Sequence, residues 1–238
     1  MKTLILGDGL LGKSLQQITG WDYISRKKDG IDFNNPQTYL GLLDTIYDTI
    51  VNCIGYTKTY DADREKHWNT NYAAVSELVD YCFNYSRKLV HISTDYVYSE
   101  SIIHAKETDV PVHCANWYGY TKLLADGYVQ LKLNNYLLIR TSFKPEPFPY
   151  KEAIIQHGNF DYVSKISGLI KMLIENNARG VFNVGTKAKT MYDLAMQTKP
   201  SVVTTNRLIA DTMPRDITMD VSKMNQFFKQ SNVNKKYN

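Results

Sequence analysis

The sequence predicts an α/β fold in which a mostly parallel sheet is flanked by helices, with a small, reduced C-terminal lobe. Three observations carry this. Short apolar runs at 3–6, 22–25, 49–54, 88–93 and 136–140 alternate with segments of helical spacing, the pattern of successive βαβ units. A glycine-rich turn follows the first run immediately. The 238 residues suffice for one large domain with a small appendage.

Thr3, Leu4, Ile5 and Leu6 form an unbroken apolar run, as a strand covered on both faces requires. Gly7-Asp8-Gly9-Leu10-Leu11-Gly12 turns the chain, and residues 13–18 continue as a helix. A strand at 22–25 runs into Arg26-Lys27-Lys28. In 68–85, Val75, Leu78, Val79 and Cys82 recur at spacings of three and four, one apolar helix face. A further helix is expected over 118–132 and a strand at 136–140. Pro145, Pro147 and Pro149 break any regular element, so 143–162 is expected as a loop at the edge of the sheet. A helix at 163–176, a strand at 180–185, and short helices at 191–197 and 222–228 follow, with a polar, fraying tail over 229–238. The expected division is a dinucleotide-binding domain at 1–142 and a small lobe at 143–238, some of whose elements return to the main sheet.

Composition narrows the classes of function. The chain is 43% hydrophobic and 22% charged, which fits a soluble globular protein and excludes a disordered chain or a disulfide-held miniprotein. Its net charge of +4 is spread along the chain, too weak for a nucleic-acid partner. Three cysteines leave one unpaired, and neither they nor the five scattered histidines show a metal-site spacing. A reducing, cytoplasmic setting is expected. No apolar run approaches the roughly 18 residues of a membrane span, and the N-terminus lacks a signal-peptide stretch.

The chemistry resides in three constellations. The turn Gly7-x-Gly9-x-x-Gly12, set between strand and helix, is the context of a Rossmann-like dinucleotide site. Gly7 permits the turn, Gly9 admits a pyrophosphate and Gly12 lets helix and strand pack closely. Asp8, Leu10 and Leu11 belong to the same turn, and the helix N-terminus favours the phosphates. At the end of the second strand stand Arg26 and Lys27, where an NAD site usually has a carboxylate. Cations there favour the 2′-phosphate of NADP(H) over NAD(H); the alternative is an ordinary solvated charge cluster. Asp32 is expected near the adenine edge. Finally, Tyr118 and Lys122 lie four apart on one helix face, an arrangement for proton transfer in which the ammonium lowers the phenol's pKa. Ser93-Thr94-Asp95-Tyr96 ends a strand, where open α/β sheets bind ligands.

With these residues in view, the chain resembles an extended short-chain dehydrogenase/reductase, and more narrowly the dTDP-4-dehydrorhamnose reductase branch. The resemblance runs over about residues 2–225 and is most specific in the first 142. It is carried by the glycine turn, by Val51-Asn52-Cys53-Ile54-Gly55-Tyr56-Thr57 with Asp61 and Asp63, and by Asn71 in the next helix. Ser93-Thr94-Asp95-Tyr96-Val97-Tyr98, Tyr118-Gly119-x-Thr121-Lys122 and Leu138-Ile139-Arg140-Thr141-Ser142 match strongly. Gly180-Val181-Phe182-Asn183-Val184-Gly185 and Arg215, Asp220 and Lys223 match more loosely, with Pro214 before the arginine.

The resemblance implies NADPH-dependent reduction of the C4 keto group of a nucleotide-linked 4-keto-6-deoxy sugar. Thr94, Tyr118 and Lys122 would be catalytic. Cys53, Gly55, Tyr56 and Asn71 would join the glycine turn at the cofactor, and Lys122 would also hold its ribose. Thr94, Asp95, Tyr96, Trp117, Phe143 and Arg215 would meet the substrate, Arg215 through its phosphates or else as a plain surface cation. Two alternatives accompany this reading: a bifunctional 3,5-epimerase/4-reductase, and a non-catalytic regulatory subunit that kept the fold. Asp95 stands where the epimerising relatives carry a cysteine, which favours the pure reductase, although His113 and Cys114 lie shortly before Tyr118. A homodimer paired through helices beside the Tyr118 segment is expected. The lobe is short and Pro-rich at 144–149, and Phe143 follows Ser142 where the family has a tryptophan nearby.

Overall fold

The fold begins with four apolar residues buried over their whole length, β1 (Thr3–Leu6). The computed structural model describes residues 2–43, 46–205 and 210–231. β1 leads through Gly7 into α1 (Leu10–Thr19), β2 (Asp22–Ile24) and the single-turn α2 (Arg26–Asp29). β3 (Thr49–Asn52), α3 (Arg64–Trp68), a π turn at Asn69–Ala73 and α4 (Ala74–Asn84) follow, then β4 (Lys88–Ile92), α5 (Trp117–Lys132) and β5 (Tyr136–Thr141). The second part contains β6 (Phe143–Lys144), β7 (Glu152–Ile154), β8 (His157–Gly158), β9 (Asp161–Tyr162) and α6 (Val163–Glu175). It continues with β10 (Gly180–Val184), β11 (Lys189–Thr190), α7 (Met191–Met196), β12 (Val203–Thr205) and α8 (Ser222–Gln230).

Six strands make one parallel sheet in the order β10-β5-β4-β3-β1-β2. The chain moves from β1 outward to β2 and then returns to the other side of β1, which creates a switch point between β1 and β3. Ligands of open α/β sheets sit at such a point, beyond the strands' C-terminal ends. Between α2 and β3 the chain forms two 3₁₀ turns, Pro36–Thr38 and Leu40–Leu42, and Tyr39 and Leu43 beside them join the core layer of α4. Asn35 caps the first of these, and Tyr39 between them is fully buried.

Alternate strand residues face opposite layers. Leu4, Ile50, Leu89 and Leu138 pack with Leu78 and Val79 of α4 and Ala125 and Val129 of α5. Ile5, Val51, Val90 and Leu137 pack with α1, α6 and α8, whose Met224 and Phe228 close that layer. β10 pairs with β5, so the chain beyond residue 142 contributes both a strand and two helices to the sheet layers.

Several elements depart from the sequence expectation. α1 begins at Leu10, directly on the turn. Residues 26–29 are helical because the Ser25 side chain accepts from the Lys28 amide and Gly30 ends the turn at positive φ. The 68–85 helix is divided, with α3 capped by Asp63 and the π turn inserted before α4. The expected loop at 143–162 contains four short strands. The prolines do interrupt the chain, yet the residues beside them find partners: β6 pairs with β9, β7 with β12 and β8 with β11. Phe148, Phe160, Tyr162, Met191, Leu194 and Val202 form the core of this small lobe. Lys229 and Gln230 belong to α8 and Ser231 caps it; the rest of the expected tail, 232–238, lies outside the described residues.

Candidate active site

A cavity of about 1070 Å³ opens at the switch point, between the C-terminal ends of β1, β3, β4 and β5 and the small lobe. Gly9, Leu10 and Leu11 form one end of its wall, followed by Cys53 and Gly55 after β3. Thr94, Asp95 and Tyr96 after β4, Tyr118 and Lys122 of α5, and Phe143 after β5 also line it. The catalytic triplet expected from sequence is therefore brought together with part of the expected cofactor turn.

The turn is built for close approach. Gly7 has φ +94°, and its amide donates to the Ile24 carbonyl. A Cβ on Gly12 would sit 2.0 Å from the Gly7 carbonyl oxygen, so only glycine lets α1 dock this tightly. A Cβ on Gly9 would meet nothing within 4 Å, and α1 has no side-chain cap there. The first amides of α1 thus face open space beside the cavity, the cradle a pyrophosphate needs. The residues present fit a dinucleotide. Asp8 and Gly12 lie on the outer side of the turn, in a small separate cleft with Lys13 and Tyr23.

Asn71 acts on the backbone rather than from the cavity wall. Its Oδ1 accepts from the Tyr56 amide at 2.8 Å and its Nδ2 donates to the Tyr56 carbonyl at 3.0 Å, so one amide clamps the strand-end loop. The π turn puts it there, and a Cβ on Gly55 would come within 3.4 Å of its oxygen. The Tyr56 hydroxyl donates to Asp61 instead of entering the cavity. Arg26 and Lys27 are exposed at the end of β2, and Arg26 pairs with Asp32 at 3.6 Å.

At the catalytic wall, Asn116 caps α5 by accepting from the Gly119 amide. Gly119 has no side chain to hold the helix off: a Cβ there would come within 2.8 Å of the Tyr96 carbonyl oxygen. This contact seats Tyr118 against the strand end. Thr94 accepts from the Tyr96 amide at 3.2 Å and donates to Asp95 at 3.1 Å. Burial pushes the Tyr118 phenol up to about 12, with the neighbouring Thr94 hydroxyl opposing the shift. The expectation that Lys122 lowers this pKa is corrected here. The Lys122 amine turns to the Ile92 carbonyl at 2.7 Å and His91 Nε2 at 3.1 Å. Burial lowers Lys122 itself to about 8. Asp95, 2% exposed, is raised by burial to about 6.

Two expected substrate residues lie elsewhere. Trp117 starts α5 but faces away from the cavity; Arg64 stacks over its ring at 5.2 Å. Arg215 is exposed and does not line the cavity, although its neighbour Pro214 accepts from Gln156, which does. Residues not anticipated from sequence do line it. Gln156 and Tyr60 both bond the Tyr96 hydroxyl, and Lys144 stands close enough to Asp95 to lower the carboxyl's pKa. They come from three separate segments: Tyr60 directly precedes Asp61, Lys144 directly follows Phe143, and Gln156 lies away from every motif. Among the described residues no three His, Cys, Asp or Glu side chains converge to hold a metal, and no helix is long and apolar enough to cross a membrane.

Comparison with known proteins agrees with this architecture. No curated protein matches the chain. Among solved structures, a hypothetical dTDP-4-dehydrorhamnose reductase from Sulfolobus tokodaii superposes with a TM-score of 0.80 at 24% identity, covering 95% of this chain and 94% of that one. A dTDP-4-dehydrorhamnose reductase from Bacillus anthracis in complex with NADP gives 0.79 at 22% identity, covering 95% and 92%. The Bordetella bronchiseptica enzyme WbmH in complex with NAD+ gives 0.77 at 12% identity, covering 94% and 91%. These likenesses establish the shared fold. The model of the RmlD substrate binding domain matches residues 1–144, which span the glycine turn, the strand-end Thr94 and the Tyr118–Lys122 pair. The chain belongs to the RmlD substrate binding domain family and is an NAD(P)-dependent oxidoreductase.

Proposed function

We propose that this protein reduces the C4 keto group of a nucleotide-linked 4-keto-6-deoxy sugar, using NADPH in preference to NADH. The observation that carries the reading is the meeting of Thr94, Tyr118 and Lys122 on the wall that also contains the glycine turn. The dTDP-4-dehydrorhamnose reductases among the solved structures support the substrate class, and exposed Arg26 and Lys27 support the 2′-phosphate. Residues 1–142 would hold the dinucleotide and the lobe beyond them would cover the sugar.

When bound, the nicotinamide supplies the hydride; the protein positions and protonates. Gly9, Leu10 and Leu11 would hold the pyrophosphate through α1 amides, and Asn71 keeps the Gly55–Tyr56 backbone in place beside them. Tyr118 gives its proton to the oxygen on C4 as negative charge develops there. A phenol held up to about 12 is a proton donor throughout the neutral range and suits an alkoxide as acceptor. Thr94, already oriented by the Tyr96 amide, would turn its one hydroxyl proton from Asp95 to the same oxygen. Lys122 would reach the nicotinamide ribose. The lobe residues Phe148, Tyr150 and Met191 line the cavity with apolar surface.

The epimerase alternative needs a second acid–base group at the sugar. The Cys114 thiol instead faces the Val97 carbonyl at 3.5 Å, and burial pushes it up to about 12. Substitution Tyr118→Phe is expected to lower kcat by about 10²–10⁴-fold while NADPH still binds, as read by cofactor fluorescence. Near-normal turnover would remove Tyr118 from its role. Failure to oxidise NADPH with dTDP-, UDP- and GDP-linked 4-keto sugars would remove the reductase reading. Deuterium incorporation at C3 or C5 in deuterated water would restore the epimerase.

A further inference from the structure

Behind Lys122 lies a buried polar chain that the mechanism above does not use. Asn52 at the end of β3 and His91 on β4 are both fully buried. Asn52 Nδ2 lies 3.3 Å from His91 Nδ1, and His91 Nε2 lies 3.1 Å from Lys122 Nζ. The direction of these bonds follows from donor matching. Asn52 Oδ1 accepts from the Ile54 amide at 3.0 Å, so the amide oxygen is committed and its NH₂ group faces the imidazole. Nδ1 must then accept. A neutral imidazole carries its one proton on the other nitrogen, so Nε2 donates, and what it meets must offer a lone pair. An ammonium has none. A neutral amine accepts from Nε2 and still donates to the Ile92 carbonyl at 2.7 Å.

We propose that His91 is a positioning residue for Lys122: Asn52 fixes it as the Nε2–H tautomer, and it favours the neutral amine, so that before the dinucleotide binds the amine persists at pH values where a free lysine is an ammonium. Every link from Asn52 to Ile92 then runs donor to acceptor, whereas an ammonium would leave two donors facing each other at one link.

The surroundings agree. Burial holds the imidazole well below its ordinary pKa, and a proton on Lys122 would push it further the same way, which excludes the imidazolium. Burial lowers Lys122 to about 8. The other groups facing it are Asp126 from its own helix and Cys53 from the end of β3, and both favour its charged form. Asp126 is engaged by Arg140 at 2.9 Å, and burial keeps Cys53 as a neutral thiol, up to about 12. The inference rests on the reading of Lys122 as a working residue of the dinucleotide site, but its test needs neither NADPH nor turnover.

The test is NMR on the full chain without ligand. Nitrogen-15 long-range correlation, with His91 assigned by its loss in His91→Gln, is expected to show bare Nδ1 and protonated Nε2 at about pH 9, where a free lysine is still an ammonium. The opposite tautomer, or an imidazolium, overturns the proposal. The Lys122 Cε resonance, assigned by its loss in Lys122→Met, then reports the lysine's titration. In Asn52→Asp a carboxylate would accept from Nδ1–H, reverse the tautomer and return the proton to Lys122, raising its proton affinity about tenfold or more. His91→Gln, whose amide oxygen can accept from an ammonium, is expected to move it the same way and serves if the first variant does not fold. A Lys122 titration unmoved in whichever variant folds means that His91 only fills space, and the proposal fails.

Discussion

Replacing Asp95 by asparagine separates a stability cost from a catalytic one. Asp95 is 2% exposed and lies at the strand end between Thr94 and Lys144. Burial dominates its environment and raises the carboxyl from 3.8 to about 6. A shift of about 2 units corresponds to roughly 3 kcal/mol at about 1.4 kcal/mol per unit. The sign follows from linkage. The folded state binds this proton more tightly than the unfolded state, so the charged carboxylate opposes folding above pH 6, and the cost fades as pH falls from about 6 to 3.8. Asparagine keeps the oxygen that accepts from Thr94 and removes the charge. The shift already includes the opposing attraction of Lys144, so nothing further is subtracted. Asp95→Asn should therefore stabilise the fold by about 3 kcal/mol at pH 7.5, and the gain should shrink steadily towards pH 4. Urea midpoints of both proteins at pH 7.5, 6 and 4.5, with equal slopes, measure this. A variant that is less stable at pH 7.5, or a gain independent of pH, would refute the burial argument. The same substitution removes one of the charges that hold the Tyr118 phenol up, so its pKa should fall towards 10.

Gly12→Ala would put a Cβ 2.0 Å from the Gly7 carbonyl oxygen, a backbone atom that cannot step aside, and should cost about 1–3 kcal/mol by thermal melting and abolish cofactor binding. Arg26 is exposed and only weakly tied to Asp32, so Arg26→Ala should leave the melting temperature alone and weaken NADPH about tenfold relative to NADH; equal losses for both would exclude a 2′-phosphate contact. Asp126→Asn breaks an ion pair whose two side chains are 0% and 1% exposed, leaving the Arg140 guanidinium without its carboxylate, and should cost about 3–5 kcal/mol in denaturant titrations.

The parts of this site that were legible in the sequence are those whose chemistry depends on local spacing. Gly7, Gly9 and Gly12 act within one turn, and Tyr118 and Lys122 within one turn of helix, so residue type and separation suffice. Asn71 was placed near the cofactor by resemblance, but its work is done on the Tyr56 backbone, fifteen positions earlier in the chain, through a π turn with no separate sequence signature. Trp117 shows the limit of adjacency. It precedes Tyr118 directly, yet consecutive helical positions point about 100° apart, and Arg64 claims its ring. The pKa expectation for Tyr118 failed for a related reason: a spacing of four guarantees a shared face but not a shared bond, and Lys122 has a carbonyl and an imidazole within reach on β4.

The lobe presents the same problem in a stronger form. Its ladders are two or three residues long and join segments far apart in the chain, as β7 does with β12, so neither alternation nor run length can announce them. Three prolines between β6 and β7 argue for a loop by every local rule, and locally that is what they make. Yet the strands beside them carry Phe143, Lys144 and Ala153 to the cavity. Discrimination between substrates therefore depends on the part of the molecule whose structure is least local. Lys144 is the residue there with the most to say, because its charge partly offsets the rise that burial imposes on Asp95 and adds to the polarity met by whatever enters. Lys151 and Glu152 are the other charged residues that the lobe brings to that wall, and Lys144 is the one that acts on Asp95, so changes at 144 should alter substrate choice while changes at 118 alter rate.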